Sequence, residues 1–156
     1  MALDPSFIGR TYPPTAPYEV GREKIREFAV AVGDANPAYT DVEAAKALGY
    51  SDVIAPPTFP FAIAFQAAAQ VVNDPELGLD YSRVVHGDQK FLYTRPVQAG
   101  DRLSVTIVID AIKSLAGNDV LTVSGAVHDE SGAHVVTAVM TLVARAADTA
   151  DTAQGE

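Results

Sequence analysis

The chain of 156 residues contains no cysteine and no tryptophan. The first absence excludes disulfides, thiolate metal sites and cysteine nucleophiles, and it suits a reducing cytoplasm, the expected location. Positive charge is scarce: eleven Lys and Arg stand against twenty Asp and Glu, for a net charge of -9. The eleven are scattered and form no basic stripe, so nucleic acid is not an expected partner. Histidine is scarce too, and three of them without tight carboxylate spacing predict no metal site. The opening MALDPSFIGRTYPP has neither the basic start nor the unbroken apolar core of a secretory signal. One charge-free run exists, VIAPPTFPFAIAFQAAAQVV at 53–72, and prolines crowd its first half. Its clean helical part after Pro60 is about 18 Å long, well short of a roughly 30 Å hydrocarbon core. It reads as a buried helix, and no membrane contact is expected.

What is present is apolar: 48% of the residues, enough for one well-cored domain and too few residues for two. The domain is expected over 1–147. The remainder, DTADTAQGE at 148–156, has no periodicity and reads as a disordered acidic tail. Residues 1–20 are proline-rich and extended, with a short strand at 16–20. In EKIREFAVAV, Ile25, Phe28, Ala29 and Val32 recur at helical spacing, and Gly33 follows as a stop. Asp41 is placed to cap a short helix, VEAAKALG, ended by Gly49. Pro57 suits the first turn of the apolar helix, which runs to about Val72. Being apolar on every side, that helix has to be wrapped.

From His86 the period changes to two. Leu103, Val105, Ile107 and Ile109 alternate with polar residues; Leu121, Val123 and Val127, then Val135, Val139 and Val143, repeat the pattern. LAGND and DESG between them have hairpin chemistry, so an antiparallel meander is expected. An α+β chain with one long apolar helix and a curved antiparallel sheet packs by wrapping the sheet around the helix. That is the architecture of a single hot dog domain.

The stretch GDANPAYTD at 33–41 resembles the GDxNPxH loop of MaoC-like hydratases and dehydratases, which act on (3R)-3-hydroxyacyl thioesters of coenzyme A or acyl carrier protein. VVHGDQKFLYTRPVQAGDRL at 84–103 resembles the N-terminal, FAS1-like dehydratase branch of that family, including the small A- and C-type subunits of actinobacterial (3R)-hydroxyacyl-carrier-protein dehydratases. In active members the resemblance implies an Asp and a His sharing proton transfer, with a backbone N–H polarising the thioester carbonyl. Asp34 matches the aspartate and Asn36 its supporting asparagine. Tyr39 stands where the histidine belongs, and a phenol with an ordinary pKa of about 10 is a poor base at neutral pH. APPTF at 55–59 replaces an AHGM-like turn, and Pro56 and Pro57 have no N–H to offer.

Each residue also has a plainer reading. Asp34 and Asn36 can bond local backbone, as such residues do in turns. Tyr39 can be a half-buried tyrosine with a satisfied hydroxyl. Thr58 and Phe59, at the start of the apolar helix, are candidate substrate-wall contacts, or simply core. His86 is the candidate base, with Asp34 as its partner, if the chain is active alone. His128 and His134 look solvent-exposed. Arg22, Lys24 and Arg26 either meet a carrier protein or coenzyme A phosphates, or are a solvated helix face.

The expected function is a partner subunit, with an altered catalytic loop, of a (3R)-3-hydroxyacyl-thioester dehydratase, working as a homodimer or beside a sister hot dog subunit. No cofactor is expected, since the acyl chain arrives on coenzyme A or acyl carrier protein. Two alternatives stay open: a self-sufficient enoyl-thioester hydratase using Asp34 and His86, and an acyl-thioester-binding or scaffold protein without chemistry.

Overall fold

The computed structural model describes residues 3–145. The acidic tail expected at 148–156 and the end of the expected domain lie outside the described residues.

Five strands form one antiparallel sheet in the order β1-β3-β4-β5-β2, with β1 at Tyr18–Glu19, β2 at Val84–Tyr93, β3 at Arg102–Leu115, β4 at Asn118–Asp129 and β5 at His134–Ala144. The meander expected from the turn chemistry is β3-β4-β5. Ala116 and Gly117, both at positive φ, make the two-residue turn between β3 and β4, where Leu115 pairs with Asn118. Such a turn matches the twist of the strands it joins. Strand β2 does not continue the meander on the β3 side; it returns to pair with β5, Gln89 against Met140 and Tyr93 against Val136.

Three helices accompany the sheet: α1 at Arg22–Val32, α2 at Val42–Ala47 and α3 at Pro60–Val72. Asp41 caps α2 as expected, its carboxylate accepting from the N–H groups of Glu43 and Ala44. On α1, Ile25 and Ala29 are buried and Phe28 is half-buried, whereas Val32 is exposed at the last turn. Helix α3 begins at Pro60, later than expected, because residues 57–59 form a tighter turn in which Phe59 N–H bonds Pro56 C=O.

The concave face of the sheet holds α3. Ile63, Ala64, Ala67, Ala68 and Val71 are buried there, and Ala64 approaches Gly125 of β4. A Cβ at Gly125 would lie 3.0 Å from Ile107 Cδ1 and 3.2 Å from Val105 Cγ1. The missing side chain leaves room for the β3 side chains Ile107 and Val105 beneath α3. Wrapping is incomplete, however: Phe65 and Ala69 are exposed on the opposite side of α3.

The inner face of β5 also differs from expectation. Val136, Ala138, Met140 and Leu142 are buried together with Val135, while Val139 and Val143 are half-exposed. A register shift between Val127 and His128 accommodates two consecutive buried valines, 135 and 136, and reverses the phase beyond them. Composition alone is ambiguous there, because both faces of this strand carry valine.

Candidate functional site

The loop after α1 is built by its own backbone first. Gly33 adopts φ 72°, and the N–H of Asp34 reaches back to Ala29 C=O at 3.0 Å, so the helix closes and the chain turns away. Asn36 then caps a single helical turn, Pro37–Tyr39, its side chain accepting from Ala38 N–H at 3.0 Å. That is the plainer of the two roles weighed for Asn36. The turn buries Tyr39 and aims its hydroxyl at Asp34, donating to Oδ2 at 3.1 Å. Burial, and secondarily the hydrogen bond to Asp34, push the Tyr39 phenol above its ordinary value. The group in the histidine's place is therefore a protonated donor at neutral pH.

A cavity of about 260 Å³ opens beside this loop, lined by Tyr39, Ile54, Pro57, Tyr93, Thr94 and Arg95 among others. Ile54 and Ala55 also line it, in a segment held by Ile54 N–H on Ala38 C=O, Ala55 N–H on Val97 C=O and Ala99 N–H on Val53 C=O. Tyr93 closes one side by donating its hydroxyl to Pro57 C=O at 2.7 Å, and burial raises its pKa. Two phenols thus face the cavity. Neither Pro56 nor Pro57 supplies an N–H, and the Pro57 carbonyl already accepts from Tyr93.

The connection from β2 to β3 forms the remaining wall. Arg95 donates to both Asp101 oxygens, at 2.8 and 3.0 Å, to Asp129 at 3.1 Å and to its neighbour's carbonyl. Asp101 also accepts from Gln98 N–H. Sequence reading did not single out Arg95, Thr94 or Ile54; the bidentate fit of Arg95 to Asp101 is tertiary, although the RP…GD spacing carries it.

Of the other predicted residues, Thr58 is exposed, and Phe59 is 1% exposed with its ring edge-on to Phe28 at 5.4 Å between centroids. Phe59 is core and is not among the residues that line this cavity. His86 lies at the far end of β2 from Tyr93, seven residues or up to about 23 Å of extended chain away, stacked on Phe61 at 5.5 Å. No contact joins it to Asp34, so the structure does not bring the expected Asp34–His86 pair together within one chain.

One further expectation needs correction. His128 and His134 are half-buried: their rings meet edge-on at 5.6 Å, and His134 is bonded through both nitrogens to Thr94 and Thr137, each at 2.7 Å. The basic residues of α1 are each matched by an acid, Arg22 by Asp52, Lys24 by Glu27 and Arg26 by Glu23. They offer no free positive patch. Among the described residues no cluster of His, Asp or Glu is placed to hold a metal, and no helix is long and apolar enough to cross a membrane.

Comparison with known proteins agrees with this geometry. A UPF0336 protein of Streptomyces avermitilis is 78% identical over 95% of this chain and 99% of its own. A MaoC-like dehydratase of known structure superposes with a TM-score of 0.85 at 36% identity, covering 92% of this chain and 43% of that one, so the chain spans less than half of that protein. The C-terminally truncated HadBC (3R-hydroxyacyl-ACP dehydratase) complex of Mycobacterium tuberculosis gives a TM-score of 0.78 at 32% identity, over 88% of this chain and 96% of the matched one. Since the model of the FAS1-like dehydratase domain region matches residues 6–138, and the wrapped helix and curved sheet are those of the hot dog dehydratases, the chain belongs to the FAS1-like dehydratase family.

Proposed function

We propose that this chain is the partner subunit of a (3R)-3-hydroxyacyl-thioester dehydratase or hydratase in fatty-acyl metabolism, supplying one wall of the acyl tunnel while a sister hot dog subunit supplies the catalytic Asp and His. The reading rests on one observation above all: the phenol of Tyr39 occupies the histidine position and is tied to Asp34. Elimination of water needs a group that takes the α-proton and one that protonates the departing hydroxide. A buried, protonated phenol hydrogen-bonded to Asp34 takes up that carboxylate without giving it a base to work with. The missing N–H groups at Pro56 and Pro57 remove the carbonyl-polarising element as well.

The substrate arrives on coenzyme A or acyl carrier protein, and the chemistry calls for no metal or redox cofactor. The proposed setting is the cytoplasm, and the working unit is one hot dog domain, residues 1–147. The test is hydration of crotonyl-coenzyme A by the purified chain, alone and after mixing with a hot dog subunit that carries an intact GDxNPxH loop. Turnover on mixing should exceed that of either chain alone by at least about a hundredfold, the lower end of what acid–base groups contribute. Comparable turnover by the chain alone would overturn the reading and restore the self-sufficient hydratase. Thioester binding without turnover in any mixture would favour a binding protein.

A further inference from the structure

Nearly every hydrogen-bond donor around the cavity beside Tyr39 is already occupied. Of the backbone N–H groups, Tyr39 bonds Asn36 C=O, Ile54 bonds Ala38 C=O, Ala55 bonds Val97 C=O, and Thr94 and Arg95 both bond Val135 C=O. Pro57 and Pro96 have no N–H. Arg95 turns Nη1 and Nη2 to Asp101, Asp129 and the Pro96 carbonyl. Three lining residues carry a hydroxyl: Tyr39, Tyr93 and Thr94. Tyr39 donates to Asp34, and Tyr93 donates to Pro57 C=O. Thr94 alone among these three has a proton that no carbonyl or carboxylate fixes.

Thr94 is exposed, and its Oγ1 lies 2.7 Å from Nδ1 of His134, whose Nε2 lies 2.7 Å from Thr137 Oγ1. A hydroxyl can donate or accept, and a neutral imidazole does one at each nitrogen. The row Thr137, His134, Thr94 therefore runs in either of two directions. In one, Thr94 gives its proton to Nδ1. In the other, Thr137 donates to Nε2, Nδ1–H donates to Thr94 Oγ1, and the Thr94 proton is left for an acceptor outside the chain. An acceptor in the cavity completes this second direction, and each bond of the row then strengthens the next. The His134 ring also meets His128 edge-on at 5.6 Å between centroids.

The charges nearby choose the acceptor. Three carboxylates, Asp34, Asp101 and Asp129, stand with one guanidinium around the site, in a chain of net charge -9. Such a wall repels an anion, whereas a neutral carbonyl oxygen takes a hydroxyl donor without that cost. Ile54, Ala55, Pro57 and Pro96 leave the rest of the lining apolar, suited to the carbons attached to that carbonyl.

We propose that Thr94, its hydroxyl set by His134, is the residue with which this cavity holds the thioester carbonyl oxygen of its ligand, in place of the N–H donors that Pro56 and Pro57 cannot supply. The class of ligand, an acyl thioester, rests on the reading above. Thr94 touches the ligand, and His134 is a positioning residue.

The test compares two probes by isothermal titration calorimetry on the purified chain: butyryl-coenzyme A and its thioether analogue S-butyl-coenzyme A, which lacks only the carbonyl oxygen. Neither can be hydrated or dehydrated, so turnover does not enter. The wild type should bind the thioester about fivefold more tightly than the thioether, as for one neutral hydrogen bond. Thr94→Val should bring the two affinities within about twofold of each other while leaving the thioether Kd unchanged, and Thr94→Ser should keep a preference of about threefold or more. His134→Gln retains a group for Thr137 and removes Nδ1, and its preference should fall toward that of Thr94→Val. A preference undiminished in Thr94→Val, or absent from the wild type, would overturn the inference. Equal weakening of both probes would also overturn it, by placing an amide carbonyl of the pantetheine arm at Thr94. Should Thr94→Val bind neither probe, His134→Gln decides, and a wild-type preference there overturns the inference. The partner-subunit reading is judged separately, by turnover on mixing. A preference that depends on Thr94 without turnover in any mixture would sink that reading and leave the inference standing.

Discussion

The two edges of the sheet are finished in different ways. Along β3, residues 9–15 run beside the strand, with Gly9 N–H on Ile109 C=O, Tyr12 N–H on Ile107 C=O and Thr15 N–H on Val105 C=O. This strap is pinned at its start, where Arg10 bridges Asp74 and Glu76 and Tyr12 Oη donates to Asp74 at 2.7 Å. Prolines at 13, 14 and 17 keep it extended and stop it from recruiting a further strand. Along β2 no strap is present among the described residues, and Val85 and Leu92 meet solvent. One edge is sealed by the chain itself. The other is open among the described residues, and the partner-subunit reading proposed above would place a second chain there.

The largest effect should come from charging the bare edge. Val85→Asp with Leu92→Asp, both at exposed positions, should weaken association with the sister subunit by at least about a hundredfold, since two carboxylates would then have to be desolvated against the sister's surface. Isothermal titration calorimetry would measure this, and an unchanged Kd would mean that the subunits meet elsewhere. A smaller effect is expected at the strapped edge. Arg10→Ala with Tyr12→Phe strips Asp74, whose side chain is 9% exposed, of its two side-chain donors and leaves it the Glu76 N–H. Stability should drop by about 1–3 kcal/mol, seen as a lower Tm by calorimetry, with sister affinity unchanged. If the strap variant also lost its partner, the two edges would not be independent.

The smallest expected effect concerns acid. Asp129, at the turn from β4 to β5, is held down to about 2, first by the Ser131 hydroxyl and then by Arg95. A carboxyl depressed in this way adds stability above its unfolded value of 3.8, and the contribution is lost as pH falls through about 2. Tm should therefore decline less between pH 4 and pH 2 in Asp129→Asn than in the wild type. Equal declines would mean that Arg95 and the cavity wall it holds do not depend on this carboxylate.

Much of the fold was legible because its signals are local. The Asp41 cap, the Gly33 stop, the alternation along β3 and β4 and the hairpin chemistry of LAGND each follow from a few neighbouring residues. The misread features depend on neighbours distant in sequence. The phase of β5 turns on a register shift against β4. The basic residues of α1 look like a patch until the acids beside Lys24 and Arg26, and Asp52 beside Arg22, are seen to match them. Phe59 and Thr58 adjoin in sequence, yet one is core and the other exposed.

The candidate site divides in the same manner. The sequence by itself determined that Asp34, Asn36 and Tyr39 would share one loop, that a phenol would replace an imidazole, and that no N–H would come from residues 56 and 57. Those are matters of residue identity and short spacing, and no packing can alter them. Only the tertiary structure decided that Tyr39 would meet Asp34, that Tyr93 and Arg95 would wall the cavity, and that His86 would stand at the far end of a bare strand. Those relations join segments tens of residues apart, and they exist only once burial of α3 against the sheet has fixed every register around it.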